Sequence, residues 1–208
     1  MKPRHVRPAV AHLRKADPVL ARVIEQVGPC GLELRTEGTH YHALLRSVLF
    51  QQLSGKAAGT IHDRLRALYG GRDPEPAEFL ATPDEALRAA GVSRQKVAYL
   101  RDLSEHVHTG RLPLDRVEAL GDDEIVDLLA GVKGVGRWTA QMFLLFRLGR
   151  PDVLPCADLG VQKAIQRAWE LPALPKPAEV EARGAPWRPY ASVASWYLWR
   201  SLDIVTPD

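Results

Sequence analysis

The chain has little from which to build a sheet. Few stretches alternate β-branched with polar residues, and no Asn-Gly or Asp-Gly hairpin turn occurs. Apolar residues recur instead at helical spacing, in runs closed by turn residues. Residues 10–27 form one such run, and residues 41–52 are apolar on most sides, as in a buried helix. Ser54 is placed to cap a helix that Gly70-Gly71 stops. Thr82-Pro83 and Ser93 read as further helix starts. Gly121 opens a helix that closes near Gly131, and helices are predicted over 138–148, 158–171 and 187–202. The Pro-rich stretch 171–186 reads as a loop, and a short strand fits only near 32–34. The expectation is an all-α protein.

At 208 residues the chain can bury a core in one or two compact domains. Its only cysteines, Cys30 and Cys156, are too few for a disulfide framework, a four-Cys zinc site or an iron–sulfur cluster. A reducing, cytoplasmic setting is the corresponding expectation. No window approaches the apolar length of a membrane span, and no signal peptide opens the chain. The net charge of +3 is mild, but it is unevenly spread. Lys2, Arg4, Arg7, Arg14 and Lys15 all precede the first acid, Asp17. Residues 115–127 are acidic, and then no Asp or Glu occurs from 128 to 151.

Within that acid-free stretch lies Gly131-Val132-Lys133-Gly134-Val135-Gly136, between two predicted helices. Glycine permits positive φ and a close backbone approach. The first N–H groups of the following helix lack intrahelical partners and suit an anion. Lys133 and Arg137 add charge, the Thr139 hydroxyl adds a donor, and Gly134 and Gly136 leave room for a phosphate. An ordinary tight turn between helices is the plainer reading of the glycines alone.

The full pattern, Leu-x-Gly-Val-x-Gly-Val-Gly-x-x-Thr-Ala from Leu129 to Ala140, resembles a helix-hairpin-helix, an element that binds the DNA backbone. The resemblance implies DNA contacts from Lys133, Gly134, Val135, Gly136, Arg137 and Thr139. It also implies a monovalent cation, Na+ or K+, on the main-chain carbonyls of Ala130, Val132 and Val135. Further on, "VLPCADLGVQKAIQ" places an acid, Asp158, at a predicted helix start after a Gly/Pro-rich link. By itself Asp158 is an N-cap. In this order the segments resemble the HhH–Gly/Pro–Asp (HhH-GPD) superfamily of DNA glycosylases, in which that Asp is catalytic. "GVGRWTA", "LFQQLSGKAA" and "PWRPYASVASWYLWR" are similar to its alkylpurine branch, the class II 3-methyladenine glycosylases.

That resemblance implies a compact helix-hairpin-helix glycosylase fold lacking the β-rich N-terminal domain of larger members. It implies two helical subdomains, about 36–130 and 1–35 plus 131–208, with the active-site cleft between them. Asp158 is then the catalytic acid. Trp138, Trp196, Tyr190 and Trp187 are the base-pocket candidates, and Gln52, with Gln51 beside it, is the wedge that fills the duplex. Trp196 reads equally well as core at helical spacing. Two departures matter. Trp138 stands where bifunctional relatives carry an attacking lysine, which points to a monofunctional enzyme. Ala157 stands where many relatives have a second Asp. The implied function is release of alkylated bases (3-methyladenine, 7-methylguanine type) from double-stranded DNA by a monomer, with no required cofactor, no iron–sulfur cluster and no membrane partner. The alternative is a non-catalytic DNA-binding or damage-sensing protein.

Overall fold

A computed structural model describes residues 6–203, so Lys2 and Arg4 of the basic opening stretch lie outside the described residues. Among the described residues there are helices and no strands; residues 32–34 are irregular chain. The helices are α1 (Val6–Ala16), α2 (Pro18–Val27), α3 (His40–Phe50), α4 (Gly55–Ala67), α5 (Pro76–Ala81), α6 (Asp84–Ala89), α7 (Arg94–His108), α8 (Asp122–Ala130) and α9 (Arg137–Phe143). A π-helical turn, Leu144–Leu148, continues α9, and α10 (Leu159–Ala168), α11 (Pro177–Gly184) and α12 (Ala191–Ser201) complete the order.

Proline accounts for most departures from the expected boundaries. The 10–27 run is two helices, because Pro18 opens α2 and Asp17 caps it, with Oδ1 accepting from Val19 N at 2.9 Å and Leu20 N at 3.1 Å. The stretch read as loop, 171–186, contains α11. Its Pro177 sits at the first helical position, where the missing N–H is no loss. Glu179 accepts from Lys176 N at 2.6 Å, and Val180 is fully buried. The helix expected over 187–202 begins only at Ala191, since Pro189 has no N–H to give and restrains Arg188.

The chain divides into two compact units, residues 1–34 with 144–208 and residues 35–143. The second division therefore falls where α9 meets the π-helical turn, after the glycine hairpin and not before it. In the 35–143 unit, α7 packs against α3, α5 and α6. Leu44, Leu45, Leu65, Phe79, Leu87, Leu100 and Leu103 are fully buried there. Arg101 on α7 joins α5 to α6. It donates to Leu80 O at 3.0 Å and Thr82 O at 2.7 Å, and its Nε reaches Asp84 at 2.8 Å.

In the other unit, α12 packs against α1, α2 and α10. Trp187, fully buried, is central to that core and lies tilted against Trp169. Its indole Nε1 donates to Asp17 Oδ2 at 3.0 Å. One carboxylate thus caps α2 with one oxygen and satisfies the deepest indole with the other. A buried acid is tolerated because every demand of its charge is met. Asp17→Ala removes the cap and strands a buried N–H, a loss of about 2–4 kcal/mol. Asp17→Asn keeps the capping oxygen and should fall between it and the wild type. Denaturant unfolding measures this order, and an alanine variant within about 1 kcal/mol of the parent would show the clip to be dispensable.

Candidate active site

The glycine hairpin has a buried side and an open side. Val132 and Val135 are buried, while Lys133, Gly136 and Arg137 are exposed and Trp138 is half-exposed. Gly134 sets the bend. Its φ is +79°, and a Cβ there would lie 2.2 Å from a ring carbon of Tyr99 on α7. Its carbonyl accepts from Gln51 Nε2 at 2.9 Å. Gly136 meets nothing within 4 Å, so its missing side chain serves the open face and not the packing. Thr139 is a correction to the expected set. It is buried on the same face of α9 as Ala140 and Phe143, so its hydroxyl is not presented to solvent.

The acid-free stretch is acid-free only along the chain. Asp102 on α7 accepts from Lys133 N at 2.9 Å, and its other oxygen lies 3.5 Å from Lys133 Nζ. Arg137 Nη1 donates to Asp127 at 3.0 Å. Both cations are exposed, and such pairs are worth no more than about 1 kcal/mol, so a phosphate can replace the carboxylate partner. Of the carbonyls implied to hold a cation, Val132 O already accepts from Val135 N at 3.0 Å. A carbonyl has two lone pairs, so this bond leaves room for an ion. Neutral carbonyl oxygens are the donor type that suits Na+ or K+.

The wedge candidates separate. Gln52 is exposed at φ +56°, a left-handed conformation unusual for a residue with a side chain. Gln51 is partly buried and its amide is committed to Gly134, so it is not free to enter a duplex. Leu53, which the sequence did not single out, is an exposed apolar side chain next to Gln52. Lys96 Nζ donates to Leu49 O at 2.6 Å and Gln51 O at 2.7 Å, closing the C-terminus of α3. Burial lowers the pKa of that amine from the ordinary lysine value.

In the other unit, Asp158 is the N-cap of α10. Its Oδ1 accepts from Val161 N at 2.8 Å and from the indole Nε1 of Trp199 at 2.8 Å. Trp199 stacks on Phe146, with centroids 5.8 Å apart. A Cβ on Gly160 would lie 3.0 Å from both Asp158 Oδ1 and Trp199, so the indole reaches the acid over a glycine. Trp199, not among the expected pocket residues, is therefore the aromatic that orients Asp158. Trp196, three residues earlier, packs on Tyr197 and over Gly31. Tyr190 meets His12 edge-on. Trp187 is a second correction: it is fully buried in the core and bound to Asp17, so no base can stack on it.

The link before Asp158 is pinned to α12. Ser192 Oγ accepts from Val153 N at 2.9 Å and donates to Arg150 O at 2.6 Å, and Asp152 accepts from Ala191 N at 3.2 Å. Arg188 binds Asp152 at 2.9 Å and Glu181 at 2.6 Å. Cys156 donates to Glu181 at 3.1 Å, and burial with that partner pushes its thiol up to about 12. It is thus a neutral thiol, not a nucleophile. Among the described residues no cluster of His, Cys, Asp or Glu could hold a metal ion, and no helix is long and apolar enough to cross a membrane.

A family model described as HhH-GPD superfamily base excision DNA repair protein matches residues 45–189, which include both the hairpin and Asp158. The chain belongs to the HhH-GPD superfamily. Within it, the chain is 33% identical over 199 residues to DNA-3-methyladenine glycosylase 1 of Schizosaccharomyces pombe, covering 94% of this chain and 87% of that protein. The solved structure of the S. pombe 3-methyladenine DNA glycosylase Mag1 in complex with abasic DNA aligns with a TM-score of 0.82 and 31% identity, over 95% and 97% of the two chains. A DNA-3-methyladenine glycosidase from Bacillus halodurans aligns with a TM-score of 0.83 and 37% identity, over 92% and 88%.

The HhH-GPD hairpin gives a direct test of its two glycines. Gly134→Ala forces a Cβ into the Tyr99 ring at positive φ and should cost about 2 kcal/mol or more. Gly136→Ala has open space and should stay within about 0.5 kcal/mol of wild type. Equal losses in thermal unfolding would refute the separate roles assigned to them.

Proposed function

We propose that the protein is a monofunctional DNA glycosylase that hydrolyses the N-glycosidic bond of alkylated bases of the 3-methyladenine and 7-methylguanine type, leaving an abasic site for base excision repair. The observation that carries this reading is Asp158, capped into place and oriented by Trp199, in a chain that shares its family and most of its length with 3-methyladenine glycosylases.

Alkylation at N3 or N7 makes a purine cationic and a good leaving group. The bond is out of reach inside the stack, so the nucleotide must be extruded. The open face of the hairpin holds the DNA backbone through main-chain N–H groups with Lys133 and Arg137, contacts that position without reading sequence. A monovalent cation on the carbonyls of Ala130, Val132 and Val135 would add positive charge for a phosphate. Gln52, with Leu53 beside it, occupies the space left by the extruded base, as inserted apolar side chains do in other kinked duplexes. An aromatic face, from Trp138 or from Trp196, suits a cationic base, a contact worth about 0.5–2 kcal/mol. As the bond breaks, the deoxyribose becomes cationic, and the fixed carboxylate of Asp158 stabilises that charge.

The reading is tested with duplex DNA treated with a methylating agent. Wild-type protein should release methylated purines. Asp158→Asn preserves the cap and the indole contact, because the amide oxygen can still accept from Val161 N and Trp199 Nε1 and Asn caps helices as well as Asp does. Folding should be retained while single-turnover release falls by about a hundredfold or more. A variant that excises at near wild-type rate would remove Asp158 from the chemistry.

The product is a second test. With Trp138 in the lysine position, the attacking amine of bifunctional relatives is missing, and Lys133, beside Asp102 on the open face of the hairpin, is assigned to phosphate. Strands should break only after hot alkali or an added abasic endonuclease, and borohydride during turnover should trap no protein–DNA adduct. Trapping that disappears in Lys133→Ala would overturn the monofunctional reading.

A further inference from the structure

We propose that Gln51 is a positioning residue that locks the 51–53 turn to the hairpin, so that seating the hairpin on the DNA backbone fixes where Gln52 stands. The proposal rests on the reading of Gln52 as the wedge.

Three contacts form a closed brace, all within the 35–143 unit. Gln51 Nε2 donates to Gly134 O at 2.9 Å, which joins the turn to the bend of the hairpin. Lys96 Nζ holds the turn to α7 through Leu49 O at 2.6 Å and Gln51 O at 2.7 Å. Tyr99, one helical turn beyond Lys96, lays its ring against Gly134, and its hydroxyl accepts from Gln95 Nε2 at 2.6 Å. One face of α7 therefore grips both elements, and Gln51 closes the triangle between them. Residues 49–51 and 134 lie far apart in the chain, so without this brace each would move with its own loop. The amide suits the task because it reaches a backbone carbonyl without carrying a charge under the phosphates. Gln52 follows at once, its left-handed φ turning the chain outward.

Gln51→Met keeps the length of the side chain and removes the N–H donors. The full-length variant is compared with wild type on three measurements: affinity for undamaged duplex, emission of a 2-aminopurine placed beside an alkylated base (a report of unstacking), and single-turnover base release at saturating protein. Undamaged binding should stay within about threefold, since the phosphate contacts remain. Both the 2-aminopurine rise and base release should fall by about tenfold, the effect of a displaced positioning group. Lys96→Met, which cuts the other leg, should show the same unstacking deficit, and the double variant should be no worse than the weaker single. Wild-type emission and rate in Gln51→Met overturn the proposal. So does a loss of undamaged binding as large as the loss of excision, because Gln51 would then merely support the hairpin. A wild-type protein that unstacks DNA but releases no base removes the glycosylase reading and leaves the emission measurement as the test of the brace. A wild-type protein that unstacks nothing overturns both.

Discussion

The hairpin depends on one missing side chain. Gly134 adopts a φ of +79° with the Tyr99 ring where a Cβ would be, and Gln51 binds its carbonyl. Any other residue would push α7 away from the bend. The rest of that region follows from the contact. Val132 and Val135 turn inward, Lys133, Gly136 and Arg137 turn outward, and the end of α3 is drawn to the same place through Lys96. Close packing and an open, cation-bearing face are therefore two consequences of the same glycine.

The molecule uses one local device twice, for different ends. Asp17 and Asp158 each cap a helix and each accept from a tryptophan indole. Asp17 divides the work between its two oxygens and is buried with Trp187 in the core. Asp158 takes the cap and the indole on the same oxygen, is only partly buried, and has the half-buried Trp199 as its partner. The hydrogen bonds are alike; what surrounds them makes one a clip and the other a candidate for chemistry. A carboxylate held in one orientation by a backbone N–H and an indole suits the stabilisation of charge on a reacting sugar, since little reorganisation is left to do.

Electrostatics along the chain and in space differ here. The stretch from 128 to 151 has no acid, yet Asp102 and Asp127 approach its two exposed cations near the hairpin. Asp102 also satisfies the Lys133 backbone N–H, so it shapes the loop as well as neutralising it. Exposed pairs of this kind are weak enough to exchange partners. The hairpin's two exposed cations are thus each paired with a carboxylate that a denser array of negative charge can displace.

Much of this protein was legible in the order of its residues. Helical spacing, Ser54 and Ser93 as caps, the glycine hexapeptide and the acid before Leu159-Gly160 are local patterns, and local geometry follows from them. The helix at Pro177–Gly184 was hidden because proline both breaks helices and begins them, and only burial of Val180 distinguishes the two. Other questions had no local answer. Trp187, Trp196 and Trp199 lie in one short segment, and nothing in their spacing says which is core, which packs on Gly31 and which reaches Asp158. Nor does the pair Gln51-Gln52 say which amide is spent on Gly134. Periodicity places a side chain on a face of its own helix. What that face meets is decided by segments distant in the chain, so the choice among similar neighbours belonged to the tertiary structure alone.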